Sequence, residues 1–302
     1  MNDRPGALVF AYSEVGYTCL DLLLARGVRV VGVFTHDDDP GEHHWFRSVA
    51  ELAQQHDIPV FRPESLKNDP AIERLIRGDL KPDIIFSFYY RHLIPMSLLE
   101  SARLGAFNMH GSFLPRYRGK APVNWAILNG EDHTGATLHH MVAKADAGDI
   151  VDQQRVPIGE RDTAAEVMAC VVEAARSVLD RQLASLLHGT APRHPQDASQ
   201  ASYFGGRRPD DGRIDWNWPS RRIFNLIRAV TRPFPGAFAD MPDGRRLQIW
   251  WAETISQHGR PGEVLQPDPL VIAAADGALR VTDFEWPPAP AHVSSPTKDK
   301  VG

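Results

Sequence analysis

The chain has 302 residues, of which 43% are hydrophobic and 24% are charged, and its formal net charge is −5. This length accommodates one large domain or two moderate ones, and the acidic balance argues against a general nucleic-acid binder. No apolar run approaches the roughly 20 residues that span a bilayer. The N-terminus has neither the apolar core nor the cleavage site of a signal peptide, so we expect a cytoplasmic protein without membrane contact.

The N-terminal part alternates apolar runs with amphipathic segments. Residues 7–12 form a nearly continuous apolar run, which is typical of a strand buried on both faces of a parallel sheet. Residues 17–27 place apolar side chains on one helical face and end in glycine, and residues 29–36 form the next strand. This order predicts an α/β fold with a Rossmann-like parallel sheet. The first turn is not G-x-G-x-x-G, so we predict no dinucleotide site.

Two stretches of the first hundred residues carry polar groups. Residues 36–44, HDDDPGEHH, are acidic, but nothing in them fixes a metal geometry, so we interpret them as a solvated loop and predict no metal site. Residues 81–95 contain the most apolar strand, which ends near Tyr90 and His92. Ligands bind beyond the carboxyl ends of strands in open α/β sheets, so we expect this end at the mouth of a site. The alternative is that its tyrosines only cover the sheet edge.

A candidate catalytic group follows in residues 106–123, AFNMHGSFLPRYRGKAPV. Asn108 and His110 are two residues apart on a predicted strand, so their side chains point to the same side. Asp146 comes later, in the turn MVAKADAGDIV. An imidazole transfers protons, an amide N–H stabilises an oxyanion, and a carboxylate favours the protonated imidazole. These groups suit acyl transfer between nitrogens without a covalent enzyme intermediate, although N-x-H alone also arises by chance.

The C-terminal part changes in composition. Residues 163–189 predict a long amphipathic helix, with Thr163 and Glu166 as a capping box. Residues 191–212 are rich in Pro, Gly, Ser and Ala, which predicts a linker between a catalytic domain at 1–190 and a second domain at 213–288. Short strands separated by turns predict that the second domain is a small OB-like β-barrel. We expect residues 289–302 to form a disordered tail.

The motifs give the chain a family resemblance. FNMHGSFLPRYRGKAP, DAGDIV and SFYYRHLIP resemble the 10-formyltetrahydrofolate-dependent formyltransferases, which pair N-x-H-x-S-[LF]-L-P with a later Asp in D-x-G. Among these proteins, the chain looks like the formyltransferase half of the bifunctional UDP-4-amino-4-deoxy-L-arabinose enzymes of polymyxin resistance. The likeness continues through FGGRRPDDG and RPFPGAF and covers nearly the whole chain. It implies a Rossmann-like domain followed by a small barrel related to the OB fold.

The resemblance also implies roles for individual residues. Asn108 would stabilise the oxyanion, His110 would be the general acid/base, and Asp146 would tune His110. Contacts with 10-formyltetrahydrofolate, the formyl-donating cosubstrate, are implied at His92, Leu93, Ile94, Lys120, Val142, Ala143, Lys144 and Ala145. Lys120 stands where the family has Arg, so an ammonium group replaces a planar guanidinium group. Candidate contacts with the acceptor are Tyr12, Tyr90, Arg207 and Arg232, although the two arginines are equally compatible with solvated surface charges.

The implied acceptor is the 4-amine of a nucleotide-linked amino sugar, first of all UDP-4-amino-4-deoxy-L-arabinose in lipid A modification. The decarboxylase half of the bifunctional enzymes is absent, so we expect formylation only, with a separate decarboxylase polypeptide in the pathway. Another UDP- or dTDP-amino-sugar N-formyltransferase is an alternative, as are methionyl-tRNA formyltransferase and formyltetrahydrofolate hydrolase. The acidic loop and the nearly neutral segment 213–302 argue against tRNA, and YRGKAPVNW favours a bulky acceptor over water.

Overall fold

The computed structural model describes residues 4–38, 45–241 and 243–286. The chain divides after Arg208 into two compact units. Residues 39–44 of the acidic loop and the predicted tail at 289–302 lie outside the described residues. Within the described ranges, every helix is too short or too polar to span a membrane.

A seven-stranded sheet forms the centre of the first unit. The strands of this unit are β1 (Gly6–Ala11), β2 (Arg29–Phe34), β3 (Val60–Phe61), β4 (Ile84–Phe88), β5 (Ala106–His110), β6 (Arg118–Gly119), β7 (His133–His140), β8 (Ile150–Pro157) and β9 (Tyr203–Phe204). Their order in the large sheet is β3-β2-β1-β4-β5-β7-β8, while β6 and β9 pair with each other. The first five strands of this order are parallel, and β7 and β8 add an antiparallel edge.

Helices connect these strands. They are α1 (Ser13–Ala25), α2 (Val49–Gln55), α3 (Pro70–Arg74), α4 (Met96–Leu99), α5 (Pro122–Leu128) and α6 (Ala164–Leu187). The predicted capping box of α6 is confirmed: the Thr163 hydroxyl accepts from the Glu166 amide, and the Glu166 carboxylate accepts from the Thr163 amide. Both amides lack a partner inside the helix, so the exchange stabilises the start of α6.

Phenylalanines fill the core beside the central strands. Every residue of β1 and β4 is buried, as the apolar runs predict for strands covered on both faces. Phe10 and Phe34 stack with ring centroids 4.8 Å apart, and Phe86 and Phe88 on β4 are completely buried, with ring centroids 5.5 Å apart. The predicted α/β class is therefore confirmed.

The order in which the chain adds strands to the sheet reverses between the parallel strands β1 and β4. From β1 the chain proceeds through β2 to β3 on one side, and it returns to build β4 and β5 on the other. Ligands of doubly wound folds bind at this reversal, outside the carboxyl ends of the strands. Tyr12 directly follows β1 and Tyr90 lies two residues beyond β4, so both stand at this position.

The structure corrects the predicted linker, because residues 191–208 are an integral part of the first unit. The backbone of His194 exchanges hydrogen bonds with Ile150, and β9 pairs with β6. The ring of Phe204 stacks on Tyr117 with centroids 4.8 Å apart. The composition of the segment resembles a flexible linker, but its backbone groups are bonded to the catalytic unit.

The second unit is an antiparallel sheet with one helix packed on it. It contains α7 (Ser220–Val230) and the strands β10 (Ala237–Asp240), β11 (Arg246–Ile255), β12 (Val264–Pro267), β13 (Leu270–Ala273) and β14 (Ala278–Glu285). The strand order is β10-β11-β14-β13-β12. The apolar face of α7 packs against β11, with Phe224 and Trp251 in an edge-to-face contact at 5.4 Å. The prediction of an α/β domain followed by a small β domain is thus confirmed.

Candidate active site

Asn108 and His110 lie on β5, on the same side of the strand, as their spacing predicts. In the antiparallel pairing with β7, Asn108 lies opposite His139 and His110 lies opposite Thr137. Both predicted side chains approach Asp146. Asn108 Nδ2 is 3.3 Å from Asp146 Oδ1, and His110 Nδ1 is 3.7 Å from the same oxygen. The structure therefore brings the three predicted catalytic residues together.

Asp146 is held in place by the backbone of its own loop and by neighbouring segments. Its φ of 55° lies in the left-handed region, which is costly for a residue other than glycine and requires support. The Gly119 amide donates to Asp146 Oδ2 at 2.8 Å. The Gln196 side chain donates to the carbonyl oxygens of Asp146 and Gly148 at 2.9 and 2.7 Å. These bonds fix the carboxylate relative to β5.

The carboxylate of Asp146 stays ionised in this setting. Burial by itself raises the pKa of Asp146, but the neighbouring His110 and the Gly119 amide hold that pKa well below its usual range. The negative charge is thus maintained next to two imidazoles. A permanent anion at this position favours a positive charge on an adjacent imidazole when a proton is transferred to it.

The proton positions on His110 follow from its contacts. Its Nε2 is 2.8 Å from the carbonyl oxygen of Tyr117, which can only accept, so Nε2 carries a hydrogen. The other nitrogen, Nδ1, faces Asp146. In the neutral ring, Nδ1 is therefore the atom that can take up a proton. Only 6% of His110 is exposed, which limits exchange with bulk water.

His139 belongs to the same cluster, and the sequence analysis did not select it. Its Nε2 is 3.1 Å from Asn108 Nδ2 and 3.4 Å from Asp146 Oδ1, and the residue is only 2% exposed. Strand alternation places His139 on one face of β7. Its contact with Asn108 depends on the register between β5 and β7, which a single sequence does not reveal.

The predicted folate residues of the loop after β4 differ in accessibility. Leu93 is 80% exposed, whereas Ile94 is buried in a core cluster against which Tyr90 and Met141 pack. Any ligand contact of Ile94 is therefore limited to its backbone. The Nδ1 atom of His92 is buried and has no hydrogen-bond partner among the described residues. Such an atom costs free energy unless something binds to it.

The remaining predicted folate residues surround Asp146. Val142 is 43% exposed, and the next three residues of the loop are exposed as well; they are Ala143, Lys144 and Ala145. The Lys144 ammonium lies 4.9 Å from the ring centre of Tyr203. Lys120 is exposed and follows Gly119 directly, and its amide donates to the Phe204 carbonyl oxygen at 3.0 Å.

An aromatic cluster marks the carboxyl ends of β1, β2 and β4. His36, another residue that the sequence analysis did not select, stacks on Tyr90 with centroids 4.2 Å apart and meets Tyr12 edge to face at 5.4 Å. Burial, followed by the nearby His92 and Arg91, lowers the pKa of His36 to about 4, so its ring is neutral at pH 7. The Tyr90 hydroxyl is buried and lacks a hydrogen-bond partner within the described ranges.

The two arginines predicted to meet the acceptor lie in different units. Arg207 is in the first unit, where its guanidinium carbon is 4.8 Å from the ring centre of Trp125. Arg232 is in the second unit and pairs with Asp283 at 2.6 Å and with Glu285 at 2.9 Å. Two carboxylates already compensate the charge of Arg232, which weakens the case for a diphosphate contact there. Among the described residues, no group of three or more His, Cys, Asp or Glu side chains is arranged to hold a metal ion.

Three solved structures share this fold. The N-formyltransferase from Helicobacter canadensis, in complex with folinic acid and dTDP-3-aminofucose, is 22% identical with a TM-score of 0.70, covering 93% of this chain and 100% of that chain. WlaRD, a sugar 3N-formyl transferase crystallised with dTDP and 5-N-formyl-THF, is 20% identical with a TM-score of 0.69, covering 94% and 98%. HypX from Aquifex aeolicus, in complex with tetrahydrofolic acid, is 20% identical with a TM-score of 0.64, covering 94% of this chain but 44% of that one.

Family models match both units of the chain. The model described as formyl transferase matches residues 11–183, and the model described as formyl transferase, C-terminal domain, matches residues 207–291. The first match contains Asn108, His110 and Asp146 and spans more than half of the sequence. The chain therefore belongs to the formyl transferase family.

Proposed function

We propose that the protein transfers the formyl group of 10-formyltetrahydrofolate to the amine of a nucleotide-linked amino sugar. The most specific candidate is the 4-amine of UDP-4-amino-4-deoxy-L-arabinose, in lipid A modification. The observation that carries this proposal is the approach of Asn108 and His110 to the same oxygen of ionised Asp146, at 3.3 and 3.7 Å. This arrangement provides a proton acceptor, an oxyanion donor and a compensating charge for transfer between nitrogens.

The chemistry follows from these positions. The neutral amine of the acceptor attacks the formyl carbon, and an N–H of Asn108 stabilises the oxygen that becomes negative. His110 Nδ1 takes the proton that the attacking nitrogen loses, and Asp146 stabilises the resulting imidazolium. The bond between the formyl carbon and the folate nitrogen then breaks. His110 returns the proton to that nitrogen, so the enzyme ends in its starting state.

The folate is proposed to lie between the loops after β4 and β7. Leu93 and Val142 are large apolar side chains that these loops expose, as expected for the walls of a site that binds a planar ring. The Nδ1 atom of His92, which has no hydrogen-bond partner in the described part of the chain, is available for a polar group of the ligand. Lys120 and Lys144 are exposed cations next to this position and suit the carboxylates of folate.

The acceptor is proposed to bind beside Tyr12 and Tyr90, where the strand order of the sheet reverses between β1 and β4. Both residues stand where ligands of doubly wound folds bind, and the Tyr90 hydroxyl is available for a sugar hydroxyl. His36 is neutral at pH 7 and adds no positive charge near the amine. Arg207, in the same unit, is our candidate for the diphosphate, and the charge of Arg232 is compensated by two carboxylates.

A different amino sugar is the strongest alternative acceptor. The Helicobacter canadensis enzyme was solved with dTDP-3-aminofucose and WlaRD with dTDP, so sugars linked to dTDP are natural test compounds. Methionyl-tRNA is a weaker candidate, because the chain carries a net charge of −5 and tRNA binding favours basic surfaces.

A panel of acceptors tests the proposal. The enzyme is supplied with 10-formyltetrahydrofolate and, separately, with UDP-4-amino-4-deoxy-L-arabinose, dTDP-linked 3-amino and 4-amino sugars, and methionyl-tRNA. Mass spectrometry detects the formylated product, and tetrahydrofolate release gives the rate. We expect the highest kcat/KM with the UDP sugar. Highest activity with a dTDP sugar would assign that sugar as the preferred acceptor. Turnover with methionyl-tRNA alone would contradict the proposed class of acceptor.

A further inference from the structure

The buried His139 contacts Asn108, the proposed oxyanion donor. Its ring lies against both Asn108 and Asp146, and only 2% of the residue is exposed. We propose that His139 is a positioning residue that fixes the orientation of the Asn108 carboxamide. This inference rests on the proposed function, because the orientation matters only if Asn108 stabilises a developing negative charge.

The contacts of the His139 ring settle which nitrogen carries hydrogen. Its Nδ1 is 2.9 Å from the carbonyl oxygen of His140, which can only accept a hydrogen bond. Nδ1 is therefore the protonated nitrogen of the neutral ring, and Nε2 presents a lone pair. That lone pair faces Asn108 Nδ2 at 3.1 Å and accepts a hydrogen bond from it.

The orientation of the Asn108 amide follows from its two neighbours. The amide nitrogen is 3.3 Å from Asp146 Oδ1, so rotating the amide by half a turn would place its oxygen against a carboxylate oxygen. The same rotation would set that oxygen against the lone pair of His139 Nε2. Both contacts would become repulsive, so His139 and Asp146 jointly select one orientation.

This orientation leaves one N–H of Asn108 available. The two acceptors, His139 Nε2 and Asp146 Oδ1, are only 3.4 Å from each other and lie on the same side of the amide nitrogen. They subtend an angle at Nδ2 that is much narrower than the angle between the two N–H bonds of a carboxamide. One N–H therefore serves both acceptors, and the other points away from them, where it can meet the oxyanion.

Two substitutions separate the hydrogen bond from the packing. His139→Leu introduces an apolar side chain of comparable bulk and removes the Nε2 acceptor. His139→Gln can place its side-chain oxygen close to the position of Nε2. The loss of an oxyanion donor typically lowers kcat about 10²–10³-fold, and we expect His139→Leu to lose roughly 30–100-fold. His139→Gln should remain within about tenfold of the parent enzyme. KM for both substrates should change by less than about threefold, since His139 is buried.

His140→Leu is the matched control. His140 neighbours His139 on the opposite face of β7 and donates a hydrogen bond to the Pro192 carbonyl oxygen, so its loss should affect stability more than kcat. Thermal unfolding verifies that each variant is folded. Near-normal kcat in His139→Leu would overturn the role of His139, and so would an equal loss in His139→Leu and His139→Gln. Failure of the parent enzyme to formylate any amino sugar would instead contradict the proposed function.

The ring nitrogens of His139 give a test that needs no substrate. In the ¹⁵N NMR spectrum of the folded enzyme at pH 7, the resonances missing from His139→Gln identify this ring. We expect the pattern of a neutral imidazole with hydrogen on Nδ1, unchanged by folate analogues. Hydrogen on Nε2 would make that nitrogen a donor towards Asp146 and would overturn the proposal.

Discussion

Two polar clusters in the first unit differ in how their atoms are bonded. Around Asp146, the carboxylate meets the Gly119 amide, the Asn108 amide and two imidazoles. At the ends of β1, β2 and β4, Tyr90 Oη and His92 Nδ1 are buried yet have no hydrogen-bond partner within the described part of the chain. In the first cluster the carboxylate is held by groups of the protein itself, whereas the second contains buried atoms that a ligand or water would satisfy.

This difference separates chemistry from binding. Groups that stabilise a transition state are most effective when the fold already holds them in place, because no reorganisation is then needed during the reaction. Groups that recognise a substrate gain affinity only if they are available when it arrives. We therefore expect substitutions in the first cluster to change kcat and substitutions in the second to change KM.

The largest effect is expected from removing the reacting groups. His110→Ala removes the proton acceptor and Asn108→Ala removes the oxyanion donor, and each should lower kcat about 10³-fold. Isothermal titration with 5-formyltetrahydrofolate should give Kd values within about threefold of the parent value, since neither side chain is predicted to bind the folate. Near-normal turnover of His110→Ala would refute its acid/base role.

The sequence predicts these two residues well because their relation is local. Asn108 and His110 are separated by one residue on a strand, and the period of a strand alone places them on the same side. The fold class was likewise predictable, because the apolar runs of β1 and β4 and the capping residues of the helices are local sequence patterns.

The rest of the site depends on contacts between distant segments. His139 reaches Asn108 only through the register of β5 and β7. Gln196 lies in a stretch whose composition predicts a linker, yet it holds the Asp146 loop through two carbonyl oxygens. His36 joins the aromatic cluster because β2 ends next to β1, whose other neighbour is β4. None of these relations has a local pattern.

A second prediction tests whether the fold itself holds the first cluster in place. A Cβ atom at Gly148 would lie 1.9 Å from the His140 carbonyl oxygen, so Gly148→Ala must displace the loop that carries Asp146. A displacement of about 1 Å can lower kcat about 10²-fold, and overpacking typically lowers the free energy of unfolding by about 1–3 kcal/mol. Gly205→Ala is the control, because a Cβ there meets no atom within 4 Å. Equal kcat and stability in both variants would show that the Asp146 loop tolerates displacement.

A third prediction concerns the charge at the centre of the first cluster. The folded-state pKa of Asp146 is lowered, so its ionised form stabilises the fold. That contribution is present above the unfolded pKa of about 4 and is lost as the pH falls through the folded pKa. Urea unfolding should therefore show the parent protein to be more stable than Asp146→Asn at pH 7, by about 1–3 kcal/mol. The difference should narrow as the pH falls from about 5 towards 3, and a difference that widens would be inconsistent with a lowered pKa.

The smallest expected effect is on KM for the sugar, and it compares Tyr90 of the second cluster with the surface residue Arg232. Burial raises the pKa of Tyr90 to about 12, so its hydroxyl is a neutral donor at pH 7. Because one hydrogen bond contributes about 0.5–1.5 kcal/mol, Tyr90→Phe should raise KM for the sugar about two- to tenfold and leave kcat unchanged. The same variant should unfold at an equal or higher temperature, since it removes a buried hydroxyl that has no partner among the described residues. Arg232→Ala, which breaks exposed pairs with Asp283 and Glu285, should change neither KM nor kcat by more than about twofold. A rise in KM for Arg232→Ala but not for Tyr90→Phe would reassign sugar recognition from the end of β4 to the second unit.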